Sequence, residues 1–425
     1  MQRKLESRYA VKIYLGALFW LILCLQPVFS QPNSTTPPNF KIAFLGDQAV
    51  GSGSKAVLQL IKNEGTDAVV HQGDLDYKND PAQWEQLVDD ILGPDYPYFA
   101  SAGNHDDKKW GGNDGYGKRL EARMNRLGLP WDGIIGIKSS LTYKGIFIIL
   151  VAPDVMGKGH DVYIKDKLAE NKAVWSIASW HKNMKKMQVG GKSDDTGWGV
   201  YEESRKGGAI IATAHEHSYS RTHLLSNMQT QVVASTSDTL RIAEGKSFVF
   251  VSGLAGKSIR DQERGGEWWA SIYTSTQKAK YGALFGVFNL NGVENLAEFY
   301  FKNINGDVID RFWVVSEVQD AATGITDEFT PAPLRFTLEQ NYPNPFNPKT
   351  TIHYNLESPA NVRLVITDVL GRHIRTLING PVSAGYGSIV WDGTDDDGFL
   401  VPSGPYFYSL KSGEQEQTRK LTLLK

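Results

Sequence analysis

Asp67-Ala68-Val69-Val70-His71-Gln72-Gly73-Asp74-Leu75-Asp76-Tyr77 is the stretch whose reading decides the architecture. Its first five residues form a short β-branched, apolar run, which predicts a buried strand. A glycine ends the run, and two carboxylates and a phenol follow at once. The pattern repeats on either side. Upstream, Lys41-Ile42-Ala43-Phe44-Leu45 is an apolar run closed by Gly46-Asp47. Between the two strands, Ser54 to Glu64 predicts a helix with Ala56, Val57, Leu60 and Ile61 on one face. Downstream, Asp80 reads as a helix cap, with Pro81 in the first turn and Gln83 three residues on. Trp84, Leu87, Val88, Ile91 and Leu92 then form an apolar stripe. Tyr96 to Ala100 is the next strand and stops short of Gly103. Strand, helix, strand in alternation predicts a parallel or mixed sheet with helical crossovers.

Further along the character changes. Leu141-Thr142-Tyr143 and Ile146 to Val151 flank Lys144-Gly145 as a hairpin, and strands are expected at Val174-Ser179, Ala209-Thr213 and Phe248-Ser252. Leu284-Asn289 and Leu296-Phe301 predict another hairpin, followed by a strand at Arg311-Val315. Two packed sheets with helices outside fit this order. Ser316 to Pro333 is polar and without period, and so reads as a linker. Beyond it the pattern is all β, with strands expected at Thr351-Tyr354, Val362-Asp368, Ile374-Leu377, Gly387-Trp391, Tyr406-Lys411 and Thr418-Leu423. Turns at Gly371, Gly385, Asp397-Gly398 and Ser412-Gly413 divide them, which predicts a small sandwich. Asp392 to Gly398 lacks the spacing of a calcium loop and is read as a turn.

The chain's 425 residues exceed what one hydrophobic core organises, so two folded units are expected. Basic and acidic residues nearly cancel, 45 against 47, which gives no electrostatic reason to expect a nucleic-acid or anionic-membrane partner. Lys4, Arg8 and Lys12 precede the apolar run Ile13 to Leu25, and small or β-branched residues at Val28 and Ser30 suit cleavage before Gln31. Residues 1–30 are therefore read as a signal peptide. The competing reading, a membrane anchor, needs roughly 20 apolar residues, and none is expected to remain once the signal is removed. Cys24, the single cysteine, falls inside this leader, so the mature chain is neither a disulfide scaffold nor a thiol enzyme. The expected limits are 1–30 for the leader, 31–40 for a Pro-rich linker, 41–318 for a catalytic domain, 319–337 for a second linker and 338–425 for the sandwich.

Five segments carry the chemistry, each just after an expected strand: Gly46-Asp47, Gly73 to Tyr77, Gly103-Asn104-His105-Asp106, Trp180-His181, and Ala214-His215-Glu216-His217. Sites in α/β folds are built there. Alone, a Gly-Asp pair or a single His is an ordinary structural feature, whereas His-x-His along a strand puts two rings on one face. Carboxylate, imidazole and amide oxygen together suit mid-series transition metals, and a pair of such ions can clamp both oxygens of a phosphoryl transfer. His71, on a strand interior, is read as structural, and His223 as a residue within reach of a substrate.

In order and context, these motifs resemble those of the calcineurin-like metallophosphoesterase superfamily. Gly73-Asp74-Leu75-Asp76-Tyr77 and His215-Glu216-His217-Ser218-Tyr219-Ser220-Arg221 look like its purple acid phosphatase branch, and Gln48 after Asp47, with no histidine nearby, agrees with that branch. Ala214, where the family has glycine, and Ala178, where it has valine, loosen the match without removing a ligand. The resemblance implies an αββα two-sheet metallophosphoesterase sandwich of the α/β class, followed here by an all-β immunoglobulin-like sandwich. It implies that Asp47, Asp74, Tyr77 and His217 hold the first metal, and that Asp74 bridges to a second held with Asn104, His181 and His215. His105 would face the phosphate or leaving group, and Asp106 would orient it. The implied cofactors are Fe(III) plus a divalent Fe, Zn or Mn. Acid phosphatase-like hydrolysis of phosphate monoesters by a metal-activated hydroxide is the expected activity. The alternatives are a phosphodiesterase or nucleotide pyrophosphatase on the same site, or an inactive surface metal-binding protein. Leu338 to Pro348, Asp368 to Arg372, Trp391-Asp392-Gly393 and Ser403 to Tyr406 resemble secretion sorting domains of surface-exported bacterial proteins. This implies secretion machinery as a partner and a secreted or cell-surface location, the competing reading being an accessory sandwich that binds glycan.

Overall fold

The computed structural model describes residues 36–171, 173–318, 336–338, 340–341, 344–356, 358–382 and 385–424. The leader, the start of the first linker and most of the second lie outside these residues. Two large sheets, with a small two-stranded one of Leu224–Asn227 and Val232–Ser235, form the first folded unit. One has seven strands in the spatial order Thr239–Ile242, Val308–Ser316, Val293–Asn303, Gly282–Leu290, Phe40–Leu45, Ala68–His71, Tyr98–Ala100. The other has eight, in the order Trp269–Tyr273, Tyr219–Thr222, Val249–Ser252, Ile210–Thr213, Trp175–Ser179, Ile146–Val151, Lys138–Tyr143, Asp132–Ile134.

The metal-motif strands are parallel within each sheet. Phe40–Leu45, Ala68–His71 and Tyr98–Ala100 pair in parallel in the first. Ile146–Val151, Trp175–Ser179, Ile210–Thr213 and Val249–Ser252 do so in the second. Their unbroken apolar runs follow from burial on both faces. In Ile146–Val151, residues Ile146, Ile148 and Leu150 join the core between the sheets, while Ile149 and Val151 meet Ile164, Val200 and Tyr201 of the helices His160–Glu170 and Gly199–Lys206. The helices Ser52–Asn63, Pro81–Ile91 and Tyr116–Arg126 bury Val57, Leu58, Ile61, Trp84, Leu87, Val88, Leu120 and Met124 in the first cluster. This is the expected αββα arrangement. Among the described residues, no helix is long and apolar enough to cross a membrane.

Several elements were not legible. The helices at Tyr116, His160 and Gly199 lie in polar stretches and the strands at Thr239 and Trp269 are only four and five residues long, so packing rather than local pattern selects them. Tyr219–Thr222 is a strand antiparallel to Val249–Ser252. Its Arg221 is buried on Asp310 through bonds of 2.7 and 3.0 Å, so that part of the His215–Arg221 motif is structural.

The second unit is an all-β sandwich. Thr337–Leu338, Thr350–Leu356 and Gly385–Trp391 make one sheet, and His373–Val382, Ala360–Thr367, Gly404–Ser412 and Gln415–Leu423 the other. Leu338, Ile352, Leu364, Ile366, Trp391, Tyr408, Leu410 and Leu421 fill its core. Phe336, two residues before the expected boundary, belongs to this core. Asp395 to Gly398 closes as a turn, with the Gly398 amide donating to Asp395 O at 3.1 Å.

Candidate metal centre

The five motif loops meet where the parallel strands of the two sheets end. Backbone bonds knit them across the sandwich: Gly46 N–H donates to Ser252 O, Asp47 N–H to Gly73 O and Ala214 N–H to His181 O, at 2.8, 3.1 and 3.2 Å. Asp47, Asp74, Tyr77 and His215 all hold φ near +60°. Such backbone costs on the order of 1–3 kcal/mol per residue and persists where the surroundings over-determine it. Asp76 shapes one turn, its carboxylate accepting from the amides of Lys78, Asn79 and Asp80 at 2.8, 3.0 and 2.7 Å. That turn delivers the Tyr77 ring to the centre.

Two glycines are demanded by close approach. A Cβ on Gly103 would lie 2.2 Å from the amide nitrogen and Oδ1 of Asp74. One on Gly46 would lie 2.3 Å from the Cβ of Ala214, which explains how alanine is tolerated before His-x-His.

The side chains fall into two adjoining donor sets. In the first, Tyr77 Oη donates to Asp47 Oδ1 at 2.6 Å and lies 3.1 Å from His217 Nε2, and His217 Nε2 lies 3.3 Å from Asp47 Oδ1. In the second, His181 Nε2 is 3.2 Å from Asp74 Oδ2 and 3.1 Å from His215 Nδ1, so that Asp74, His181 and His215 offer ligand atoms within 4.8 Å of one another. Asp74 belongs to both neighbourhoods, since it also interacts with the Tyr77 hydroxyl. Two further oxygens, Asp47 Oδ2 and Asn104 Oδ1, are buried with no hydrogen-bond partner among the described residues. Orphaned acceptors amid carboxylates and imidazoles fit cations.

The outer contacts hold the imidazoles for ligation. His181 Nδ1 lies 2.8 Å from Gln72 O, which leaves Nε2 to face the centre. His217 Nδ1 bonds Ser258 Oγ, and His215 Nε2 is 3.6 Å from Asp195 Oδ2.

Electrostatics point the same way. Burial opposes ionisation of Asp47, but His217, His181 and the Tyr77 hydroxyl outweigh it and hold the carboxyl below its ordinary range. Burial lowers His181, yet Asp74 and Asp47 overcome it and push the imidazole up to about 9. Burial and the neighbouring His181 take His215 down to about 2. Burial, Asp47 and Asp74 together keep the Tyr77 phenol well above its usual value, so its ionisation requires a nearby cation.

All seven expected ligands and His105 are brought together. His105 is exposed, its ring 4.5 Å from that of Tyr77, and its amide donates to Asp74 Oδ1 at 2.9 Å. Asp106 departs from the role the resemblance implies. Its carboxylate accepts the backbone amides of Asp74, Leu75 and Gly103 at 2.8, 2.9 and 2.8 Å, and no described hydrogen bond joins it to the His105 ring. It is a positioning residue for the Asp74 loop. His71 is structural, accepting from Gly73 N–H at 3.1 Å. His223 has no described contact with the donors; its amide pairs with Trp268 O.

The sequence reading missed the loop after Val249–Ser252. Lys257 Nζ lies 4.4 Å from the Tyr77 ring centroid, Ser258 holds His217, and Arg260 Nη1 donates to His215 O at 3.1 Å. Gly253-Leu254-Ala255-Gly256 after a strand repeats the signal used at the other loops, but the stretch from Gly253 to Arg260 carries neither His nor carboxylate to draw the eye. Lys192 faces the same charges: burial and Arg260 lower its pKa, while Glu216, Asp47 and Asp74 raise it. A cavity of about 860 Å³ is lined by Phe40, Asp67 and Pro97 at the start of the parallel strands, at the end away from every ligand.

Residues 40–219 match the calcineurin-like phosphoesterase family, and residues 347–416 match the FlgD Ig-like domain. The structure is similar to the purple acid phosphatase PPD1 of yellow lupin (Lupinus luteus) seeds, at 18% identity and a TM-score of 0.50, covering 66% of this chain and 55% of that one. That likeness is one of fold. The basal-body rod modification proteins FlgD of Salmonella typhimurium and Salmonella typhi are each 43% identical over 58 residues, 13% of this chain and 25% of theirs. The chain thus spans a quarter of the length of these curated relatives. It carries a region that matches a phosphoesterase domain and a separate region that matches an Ig-like domain.

Proposed function

From the premise that residues 40–219 form a calcineurin-like phosphoesterase domain, we propose that this chain is a secreted dinuclear-metal phosphatase acting on phosphate monoesters. The observation that supports it best is the pair of donor sets sharing Asp74, with two orphaned buried oxygens between and beside them. Asp47, Tyr77 and His217 would hold one ion and Asn104, His181 and His215 the other, with Asp74 between them. A phenol and carboxylates suit a hard trivalent iron, and imidazoles with an amide oxygen suit divalent Fe, Zn or Mn. When bound, such a pair supplies Lewis acidity and an activated water.

The chain's own residues do the rest. His105, exposed beside Tyr77, is placed to meet the leaving oxygen with a proton. Lys257, Arg260 and Lys192 add positive potential for a dianionic phosphate. Asp106 keeps the Asp74 loop in place through its three amide bonds. The basic-then-apolar leader and the sorting-type motifs of the C-terminal sandwich support export, with that sandwich engaging secretion machinery.

Metal analysis of the purified chain, beside turnover of p-nitrophenyl phosphate and bis(p-nitrophenyl) phosphate, tests the proposal. The expected result is two equivalents of metal and a preference for the monoester. Metal-loaded protein that turns over neither ester would be a surface binding protein instead.

A further inference from the structure

The three imidazoles of the centre are braced unequally. His181 Nδ1 has a backbone carbonyl, Gln72 O, at 2.8 Å, and His217 Nδ1 bonds the Ser258 hydroxyl. His215 is turned the other way. Its Nδ1 faces His181 Nε2 at 3.1 Å, so that the two lone pairs can meet one ion, and its Nε2 is left for an outer partner. That nitrogen makes no described hydrogen bond. What faces it, at 3.6 Å, is Oδ2 of Asp195, in a segment that holds no expected ligand. An imidazole ligates through a nitrogen that carries no proton. In the neutral ring the proton then sits on the other nitrogen, and the acceptor beyond it decides which tautomer is held. For His215 that acceptor is a carboxylate, the strongest of the three.

A buried joint sets the two groups against each other. Asn183, two residues beyond His181, is fully buried. Its backbone oxygen accepts the Asp195 N–H at 3.2 Å, its side-chain nitrogen donates to Ala214 O, directly before His215, and its side-chain oxygen accepts the Tyr201 hydroxyl at 2.9 Å. One residue therefore fixes the main chain on both sides of the Asp195–His215 contact, and Ala214 N–H closes the ring by donating to His181 O at 3.2 Å. The strap from Gln188 to Asp195 is held by bonds of its own. The Glu263 and Arg264 amides both donate to Val189 O at 2.9 Å, the Arg264 side chain donates to Gly190 O and to Lys192 O, and Asp194 Oδ1 accepts the Lys185 N–H at 2.7 Å. None of these uses the Asp195 side chain, whose one other described bond is accepted from the Ser193 hydroxyl at 3.3 Å. The carboxylate is thus free to serve His215, and an approach of about half an ångström makes the contact a hydrogen bond.

We propose that Asp195 is the positioning residue of the second metal site: it accepts a hydrogen bond from Nε2–H of His215 and so keeps Nδ1 open for a divalent ion. This role, which rests on the two-ion reading of the centre, makes the second site depend on a residue outside the ligand set. The first site, built from Asp47, Tyr77 and His217, does not share that dependence. The test uses the full chain loaded with Fe(III) and titrated with Zn(II) by calorimetry, as wild type, Asp195→Ala and Asp195→Glu. Asp195→Ala should weaken Zn(II) binding by about tenfold to a hundredfold, the range for an outer partner of a ligating imidazole. Its bound iron, the absorption spectrum of its iron-loaded form and its metal-free melting temperature should all match the wild type. Asp195→Glu, which keeps the carboxylate, should recover most of the lost affinity. Should Asp195→Ala not fold, Asp195→Asn takes its place, with the same shape, a weaker acceptor and a smaller loss expected. Unchanged Zn(II) affinity overturns the proposal. So does a loss that comes with less bound iron or a lower metal-free melting temperature, the mark of a structural role alone. A wild type that takes up iron but no second ion sinks the two-ion reading, and this role with it.

Discussion

Tyr77 is the residue on which the character of the centre turns. Its hydroxyl stands 2.6 Å from Asp47 and 3.1 Å from His217, where it completes a donor set that no histidine after Asp47 supplies. A phenolate on ferric iron absorbs in the visible region, which colours the branch this site resembles. Iron-loaded protein should therefore be purple. Tyr77→Phe should lose the band while metal analysis still finds iron, and a variant that keeps the band would remove Tyr77 from the ligand set. His181 carries a second prediction, for protein stripped of metal. Its folded pKa of about 9 lies above the ordinary 6.5, so its contribution to stability is complete below pH 6.5 and lost as pH rises towards 9. His71 and His215 act in the opposite sense. Burial takes them to about 3 and about 2, so they stay neutral in the folded protein and cost stability as pH falls below 6.5. Metal-free protein should accordingly unfold at its highest temperature near neutral pH and lose stability between pH 7 and 9. Metal should compete with the His181 proton, so its affinity should rise with pH over the same interval. A flat melting profile from pH 6.5 to 9 would contradict this account.

At the level of elements, the parallel strands matter less for what they contain than for where they stop. The loops beyond five of these seven strands each supply one or two of the expected ligands. Pro81–Ile91 shows how local rules support such a loop. Asp80 accepts from Gln83 N–H at 3.0 Å, and Asp80's own amide donates to Asp76 at 2.7 Å, which joins the helix start to the turn that carries Tyr77. Asp80→Ala should cost about 1 kcal/mol of stability through the lost cap. It should leave the number of bound metals unchanged, because no ligand is removed; thermal melts and metal analysis on the same sample check both halves. The helix was legible because its cap, its first-turn proline and its apolar stripe agree. Gly199–Lys206 was not, since its buried Val200 and Tyr201 follow no stripe long enough to read.

For the whole molecule, the described cores divide cleanly. One cluster runs from Phe40 to Val314, a second from Ile149 to Val249 lies within that span of the chain, and the third, from Phe336 to Leu423, shares no residue with either. Every expected ligand lies between Phe40 and Val314. A chain ending at Ser316 should therefore keep its metal content and its turnover in vitro. If the sandwich serves export, the same truncation should fail to reach the cell surface in its native host. Loss of turnover in a folded truncate would show that the sandwich contributes to catalysis.

The sequence by itself determined the two-sheet layering with helices outside, the all-β tail and which loops carry the donor residues. All of these follow from short-range information: apolar runs of strand length, caps and stripes of helix length, and donor residues placed directly after strands. Only the tertiary structure decided which residues surround those ligands. Ser258 on His217, Asp195 near His215, Lys257 over Tyr77 and Asp106 on the Asp74 loop lie 41, 20, 180 and 32 residues from their partners and carry no local pattern. They meet because two sheets bury their faces against each other and bring the ends of distant strands to one place. The same packing sets the strap that carries Asp195 against the His-x-His loop, a relation that no spacing along the chain encodes.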